Sequence, residues 1–190
     1  MSNEMKILKD RNFIREVFQT IILGIAIFVI LQVTIQPYKV EGSSMHPTLN
    51  SGDFVLVNKL IYWELPFYES ISSKFVFHAP RRGELVVFGY PYDNSRKFVK
   101  RVIAGPGDTL EIKDGTVVVN SEVINEPYVY HPSTDTVRPI TVPRDSYFVL
   151  GDNRKNSLDS RSFGLVSSEN ILGKALISYW PIANLADDLR

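Results

Sequence analysis

The 190-residue chain contains no cysteine and only three histidines. The first absence excludes a disulfide framework, a thiol nucleophile and cysteine-based zinc sites together. The histidines, His46, His78 and His131, are scattered and offer no metal-binding spacing such as His-Glu-x-x-His. Paired Asp-Thr-Gly-like loops are also lacking, the nearest approach being Asp108-Thr109-Leu110, which disfavours aspartic protease chemistry. There is no internal repeat, low-complexity linker or charge run to mark a second soluble domain. Lys and Arg number 21, as do Asp and Glu, so net charge provides no reason to expect nucleic acid as a partner.

One long stretch has no charge at all. From Val17 to Ile35 there are nineteen uncharged residues, enough for a helix of roughly 28 Å at about 1.5 Å per residue, close to bilayer thickness. Lys6, Lys9, Arg11 and Arg15 precede it and only Lys39 follows closely, which favours a cytoplasmic N-terminus. A cleavable signal peptide is the alternative, but the exit Leu31-Gln32-Val33-Thr34-Ile35-Gln36-Pro37 contains no small-x-small cleavage site. A buried core helix is disfavoured by Pro37 and the strand-like Tyr38-Lys39-Val40, which end the segment at spanning length. The expected organisation is a cytoplasmic segment 1–16, a transmembrane signal-anchor helix 17–36 and an extracytoplasmic domain 37–190.

That domain reads as mainly β. Short aliphatic, β-branched and aromatic runs occur at Phe54 to Val57, Leu85 to Phe88, Phe98 to Ile103, Thr109 to Ile112, Thr116 to Val119, Tyr147 to Leu150 and Ala175 to Trp180. Lys113-Asp114-Gly115-Thr116 is a strong hairpin signal, because Asp-Gly accepts the positive φ angles of a type I′ turn. Residues 125–144, polar and with four prolines, read as a long surface excursion. Tyr62-Trp63-Glu64-Leu65-Pro66-Phe67-Tyr68 is either a core-packed loop or a surface that dips towards lipid.

A serine hydroxyl needs an adjacent base to become a useful nucleophile. Ser44, in Gly42-Ser43-Ser44-Met45-His46-Pro47, follows the apolar segment closely but lies outside any Gly-x-Ser-x-Gly elbow. His46 is only two positions away and precedes Pro47, while His78 and His131 sit in proline-flavoured loops, so a Ser-His-Asp triad is disfavoured. Lys100 has an unusual setting. In Phe98-Val99-Lys100-Arg101-Val102-Ile103 a strand puts Phe98, Lys100 and Val102 on one face and Val99, Arg101 and Ile103 on the other. Burial of the first face would disfavour the ammonium and bring a lysine towards neutrality near physiological pH. From Pro37 to Ser44 the chain reaches at most about 29 Å at roughly 3.6 Å per residue, so the hydroxyl stays close to the membrane.

Taken together, the motifs resemble the type I signal peptidases of the short, single-anchor form. Gly42 to Leu49 is similar to that family's serine box, Lys100 to Asp108 to its lysine box and Gly151 to Gly164 to its C-terminal box. Gly52 to Val57 and Pro80-Arg81-Arg82-Gly83-Glu84 also fit, and the blocks follow the anchor in the family's order. The resemblance implies an antiparallel β-sheet or barrel-like catalytic domain behind one transmembrane helix, working as a serine endopeptidase without cofactor or metal. It implies Ser44 as nucleophile, Lys100 as general base and Ser157 as the residue orienting Lys100. Asp152, Arg154, Asp159 and Arg161 are implied as a charged scaffold. The Ser44 backbone N–H is the first oxyanion donor; a second donor near Gly42 stays open, because family members with a serine there use its hydroxyl. Implied partners are secretory preproteins with small residues at the first and third positions before the cut, membrane lipid and a nearby secretion translocon. The implied location is the plasma membrane, spanned once.

Self-cleaving Ser-Lys repressor and mutagenesis proteins share the chemistry, but they lack an anchor. A membrane-tethered β domain that binds a partner without catalysis is the other alternative, and it has no reason to retain Ser44, Lys100 and Ser157 together.

Overall fold

The structure is a computed structural model that describes residues 2–63, 75 and 77–181, with side chains from residue 13 onward. It divides into two compact units, Met1–Ile35 and Gln36–Arg190.

The first unit is a helix, α1 (Ser2–Thr34). It contains an apolar stretch, Phe13–Thr34, of 22 residues, long enough to cross a membrane, with only 6% of its most apolar window buried. The helix starts well before the uncharged segment because nothing between Ser2 and Glu16 breaks it: no proline or glycine occurs there. It stops one residue earlier than the uncharged run. The ring of Pro37 disfavours α geometry in the residue before it, and Ile35 enters a strand, β1 (Ile35–Lys39).

Among the described residues the second unit forms two sheets. After β1 come β2 (Phe54–Asn58), β3 (Leu85–Tyr90), β4 (Asp93–Ala104), β5 (Thr109–Lys113), β6 (Thr116–Val119), β7 (Glu122–Val123), β8 (Val137–Thr141), β9 (Ser146–Leu150), β10 (Val166–Ser167) and β11 (Ile171–Trp180). A short helix, α2 (Ser160–Phe163), precedes β10. The larger sheet has the order β1-β2-β11-β3-β4-β9-β10 and the smaller one β7-β6-β5-β8. The pairings β2–β11, β11–β3, β3–β4 and β4–β9 are antiparallel, as are those within the smaller sheet. The mainly β, antiparallel expectation therefore holds.

Every strand expected from the sequence is present. Asp114 and Gly115 have φ of 48° and 81°, the left-handed pair that a type I′ turn requires. β8 corrects the reading of 125–144 as a surface excursion, since Val137–Thr141 pairs with β5. Its Pro139 hid the strand, and proline is tolerated there because β8 is a sheet edge. β4 begins five residues earlier than its apolar run, since Asp93 to Lys97 are exposed and polar yet still pair with β3. In the aromatic segment, Tyr62 is buried and Trp63 is 56% exposed; Glu64 to Tyr68, and with them the question of lipid contact, lie outside the described residues.

Three apolar clusters hold this unit together. One contains Val40, Met45, Leu49, Val55, Val57, Leu85, Val87 and Ala175. A second gathers Val86, Phe88, Val102, Tyr147, Val149 and Phe163 on the other face of β3, and a third joins Ile103 and Ala104 to the smaller sheet. β4 contributes to all three by strand alternation: Phe98 and Val102 pack in the second, Val99 against the first and Ile103 in the third.

Candidate active site

Ser44 lies in the irregular loop between β1 and β2. Both ends of the loop are pinned, by Val40 N–H to the Asp53 carbonyl at 2.7 Å and by Gly52 N–H to the Val40 carbonyl at 2.9 Å. Its middle is anchored by Met45 and Leu49, which are 1% and 0% exposed. Burying two such side chains is worth about 1.5–3 kcal/mol each, enough to set a loop without regular structure. A third restraint comes from Asn153, whose backbone N–H donates to the Ser44 carbonyl and whose Nδ2 donates to the Ser43 carbonyl, both at 3.0 Å. The Ser44 backbone is thus tied directly to Asn153.

Lys100 reaches this serine across 56 positions of sequence, its Nζ lying 2.7 Å from Ser44 Oγ. The amine also donates to the Val99 carbonyl at 2.9 Å and sits 5.3 Å from the centroid of the Phe98 ring. Lys100 is 4% exposed. Desolvation lowers its pKa from the ordinary lysine value to about 8, against the opposing pull of the Asp159 and Asp152 carboxylates. An amine of that kind is a competent proton acceptor near neutral pH, which an exposed lysine is not.

None of the three histidines hydrogen-bonds to Ser44 or Lys100. His46 Nδ1 meets Asn50 Oδ1 at 2.8 Å while its ring packs edge-on against Tyr130. His78 Nδ1 meets the Ala79 carbonyl, and the His131 ring lies 4.2 Å from that of Tyr130.

Ser157 differs from its expected role. Its Oγ is buried and makes no hydrogen bond among the described residues, so in this structure the second partner of the Lys100 amine is the Val99 carbonyl rather than Ser157. Ser157 nevertheless packs close to Ser44, both lying against Gly151. A Cβ added at Gly151 would lie 2.2 Å from Ser157 Oγ and 2.5 Å from the Ser44 carbonyl oxygen. The latter is backbone, which cannot swing aside as a side chain can. Gly151→Ala is therefore expected to shift the Ser44 backbone and lower kcat/KM by about a hundredfold, the cost of a misplacement near 1 Å; steady-state kinetics on the folded variant check this.

Asp152, Arg154, Asp159 and Arg161 are all engaged in ion pairs, with partners that include Arg101, Glu126 and Asp135. Asp152 receives a bidentate contact from Arg101, Nε to Oδ1 at 2.9 Å and Nη2 to Oδ2 at 2.7 Å, with both side chains 1% exposed. Thr48 Oγ1 donates to the same carboxylate at 2.5 Å, and the Arg101 guanidinium stacks 4.0 Å from the Tyr128 ring centroid. Arg154 pairs with Glu126 through two bonds of 2.8 and 2.6 Å. Arg161 is shared between Asp159 and Asp135 and donates to the Arg154 carbonyl. Asp159 also caps α2 and accepts from the Gly151 N–H at 3.0 Å. The partners Arg101, Glu126, Asp135 and Thr48, together with Asn153, were not singled out from sequence. Arg101 alone left a usable signal: an arginine beside a lysine in an otherwise apolar strand needs a buried acid.

Beside the pair runs a cleft of about 470 Å³. Tyr38 to Ser44 form one wall and Arg96 to Lys100 the other, with Val55 and Val87 between them and Leu158 at the margin. Among the described residues no carbonyl accepts from the Ser44 backbone N–H. Gly42 has φ of 87° with open space where a Cβ would be, so it contributes backbone alone to this wall.

A half-buried hydroxyl held against a desolvated amine at the side of an extended cleft is the mark of a serine peptidase. Comparison with known proteins says which. The family model described as signal peptidase, peptidase S26, matches residues 12–180, and the chain belongs to that family. It is 35% identical to a signal peptidase I of Leptolyngbya laminosa, across 78% of this chain and 70% of that protein. It is 30% identical to signal peptidase I P of Bacillus subtilis subsp. natto, across 95% and 96%. It is also 35% identical to thylakoidal processing peptidase 1 of Arabidopsis thaliana, of which it spans 44% of the length while 81% of this chain is covered. A solved signal peptidase I from Enterococcus faecalis superimposes with a TM-score of 0.46 at 32% identity, over 51% of this chain and 97% of the other.

Proposed function

We propose that this protein removes signal peptides from secretory preproteins by a serine–lysine mechanism. The observation that carries the mechanism is the 2.7 Å approach of Lys100 Nζ to Ser44 Oγ within the cleft. In the neutral amine the lone pair accepts the Ser44 hydroxyl proton as Oγ attacks the scissile carbonyl. Charge develops on the carbonyl oxygen beside the Ser44 backbone N–H, which supplies the first oxyanion donor. The C–N bond then breaks and the departing amine takes the proton back from the Lys100 ammonium, leaving an acyl-Ser44 ester. Lys100 next takes a proton from water as the water oxygen attacks the ester carbonyl; the C–O bond to Ser44 then breaks, the Lys100 ammonium returns the proton to Ser44 Oγ, and the carboxyl product leaves with the neutral amine restored.

Specificity follows from the cleft floor. Val55 and Val87 on the floor, with Val40 and Val99 from the two walls, crowd it with branched side chains. A substrate strand directs alternate residues to the floor, so small side chains at the first and third positions before the cut suit it. The 22-residue apolar stretch supplies the membrane anchor. On this reading residues 1–16 are cytoplasmic, 17–36 span the plasma membrane and 37–190 work outside the cytoplasm beside lipid and the secretion translocon.

The direct test is cleavage of a preprotein bearing an Ala-x-Ala site by detergent-solubilised enzyme, with the new N-terminus sequenced. A single cut after the second alanine is expected; no cut in several such preproteins overturns the assignment. A second expectation concerns pH. The base works only when neutral and its pKa stands at about 8, so kcat/KM should rise tenfold per unit below that value and level off above it, leaving about a hundredth of the plateau at pH 6. A flat profile down to pH 6 is incompatible with a neutral-lysine base.

A further inference from the structure

The cleft has an apolar floor but charged residues on both walls. Lys39, Arg96 and Lys97 line it against a single carboxylate, Glu41. All four are exposed. The nearby carboxylate of Asp93 is turned to its own loop, accepting from Ser95 N–H and Ser95 Oγ. Lys97 Nζ is held by the backbone carbonyl and Oδ1 of Asn94, neither of which cancels its charge.

Arg96 is placed most tightly. It lies on the same face of β4 as Phe98 and Lys100 by strand alternation. Its guanidinium carbon is 5.3 Å from the Phe98 ring centroid and 5.5 Å from that of Tyr90. The Lys100 amine is 5.3 Å from the same Phe98 centroid. Arg96 and Lys100 are therefore no further apart than twice that distance, about three residues of extended chain at roughly 3.3 Å each. The aromatic contacts fix the guanidinium without neutralising it; among the described residues Arg96 forms no close ion pair, and the Asp93 carboxylate acts on it only at longer range.

We propose that Arg96, helped by Lys97 and Lys39, makes this a charge-reading subsite that favours an acidic side chain, and opposes a basic one, at the fourth residue before the cut. The inference rests on the signal-peptide reading and on the substrate running along this cleft. Three residues of strand carry the chain from the first position at the dyad to the fourth. With the first and third side chains on the apolar floor, the fourth points away from it, towards the rim where the guanidinium stands. These cations line the same cleft as the dyad and outnumber its one lining carboxylate, so the occupant they favour is an acidic side chain of a substrate bound there; a lipid headgroup is the rival occupant.

The test uses the full chain in non-ionic detergent and internally quenched peptides with alanine at the first and third positions, differing only in Asp, Asn or Lys at the fourth. At low salt kcat/KM is expected to fall in the order Asp, Asn, Lys, with Asp over Lys by about tenfold, a span of two modest surface interactions of opposite sign. Raising salt to about 0.5 M should shrink that ratio towards one, because the pair is exposed. In Arg96→Glu/Lys97→Glu the order should reverse. An uncleaved Asn peptide would defeat the signal-peptidase reading itself. An Asn peptide that is cleaved, with equal rates for Asp and Lys in the wild type or an order unchanged by charge reversal, overturns the subsite alone. Equal loss for all three peptides, seen only in micelles containing phosphatidylglycerol, also overturns it and assigns the rim to lipid.

Discussion

Lys100→Met is expected to lose at least four orders of magnitude in kcat/KM, with Ser44→Ala falling equally far and the double variant no further. Four decades correspond to about 5.4 kcal/mol of transition-state stabilisation, and groups that act as one unit are not additive. Lys100→Arg should fail as well, because a guanidinium stays protonated and cannot accept the hydroxyl proton. The same substitution carries an independent signature in stability. Folding lowers the lysine pKa from 10.5 to about 8, so between those values the unfolded chain binds more protons and stability rises with pH. Below pH 8 the folded protein bears the full cost of a buried ammonium, on the order of 3 kcal/mol; above 10.5 that cost is gone. Lys100→Met should therefore melt higher than the wild type at pH 7, with the gap closing by pH 10.5. Thermal melts at both pH values, run beside the cleavage assay, separate loss of chemistry from loss of fold. Residual cleavage above a thousandth of wild type in a folded Lys100→Met enzyme would remove Lys100 as the base.

How much of this could be read in the chain depended on whether the information was local. Strand runs such as Leu85 to Phe88 and the Asp114-Gly115 turn follow from residue type and spacing over a few positions, and all of them form. Edge strands were harder. β1 and β8 each contain a proline, Pro37 and Pro139, which argues against a central strand but is acceptable at an edge, and edge position is a property of the whole sheet. Ser44 and Lys100 were legible because each has an unusual local setting, a serine shortly after the apolar segment and a lysine among apolar neighbours. Their separation was not, since the 2.7 Å contact spans 56 positions. The ion pairs show the same division. That Asp152, Arg154, Asp159 and Arg161 form a charged scaffold around the site is implied by the resemblance of the box. That Glu126 and Asp135 are among their partners could not be read from the sequence, because the choice among many charged residues is decided by tertiary placement, whereas Arg101 at least announced the need for a buried acid. Ser157 is the instructive case: its motif position suggests a contact with Lys100, but the hydroxyl is packed against Gly151 instead.

Arg101→Met and Asp152→Asn should each destabilise the protein by about 3–5 kcal/mol, because each leaves one member of a buried pair without its counter-charge. For a folded unit near 150 residues that loss lowers the melting temperature by roughly 6–20 °C. Removing both, as Arg101→Met/Asp152→Leu, should cost much less than the sum, since no uncompensated charge remains; full additivity in the double-mutant cycle would mean the two groups do not act as a pair. The pair also flanks the chemistry. Arg101 follows the proposed base, Lys100, in β4, and Asp152 precedes Asn153, which holds the Ser43 and Ser44 carbonyls. The Asp152 carboxylate raises the Lys100 pKa, in opposition to desolvation. Asp152→Asn removes that negative charge and leaves the guanidinium bare, so the activity midpoint should move below pH 8. Arg101→Met leaves the carboxylate uncompensated and should move the midpoint the other way. Opposite displacements of the kcat/KM profile in two variants of similar stability cannot come from loosened packing, which would affect both alike; displacements of the same sign would mean that the pair influences the dyad through the backbone alone.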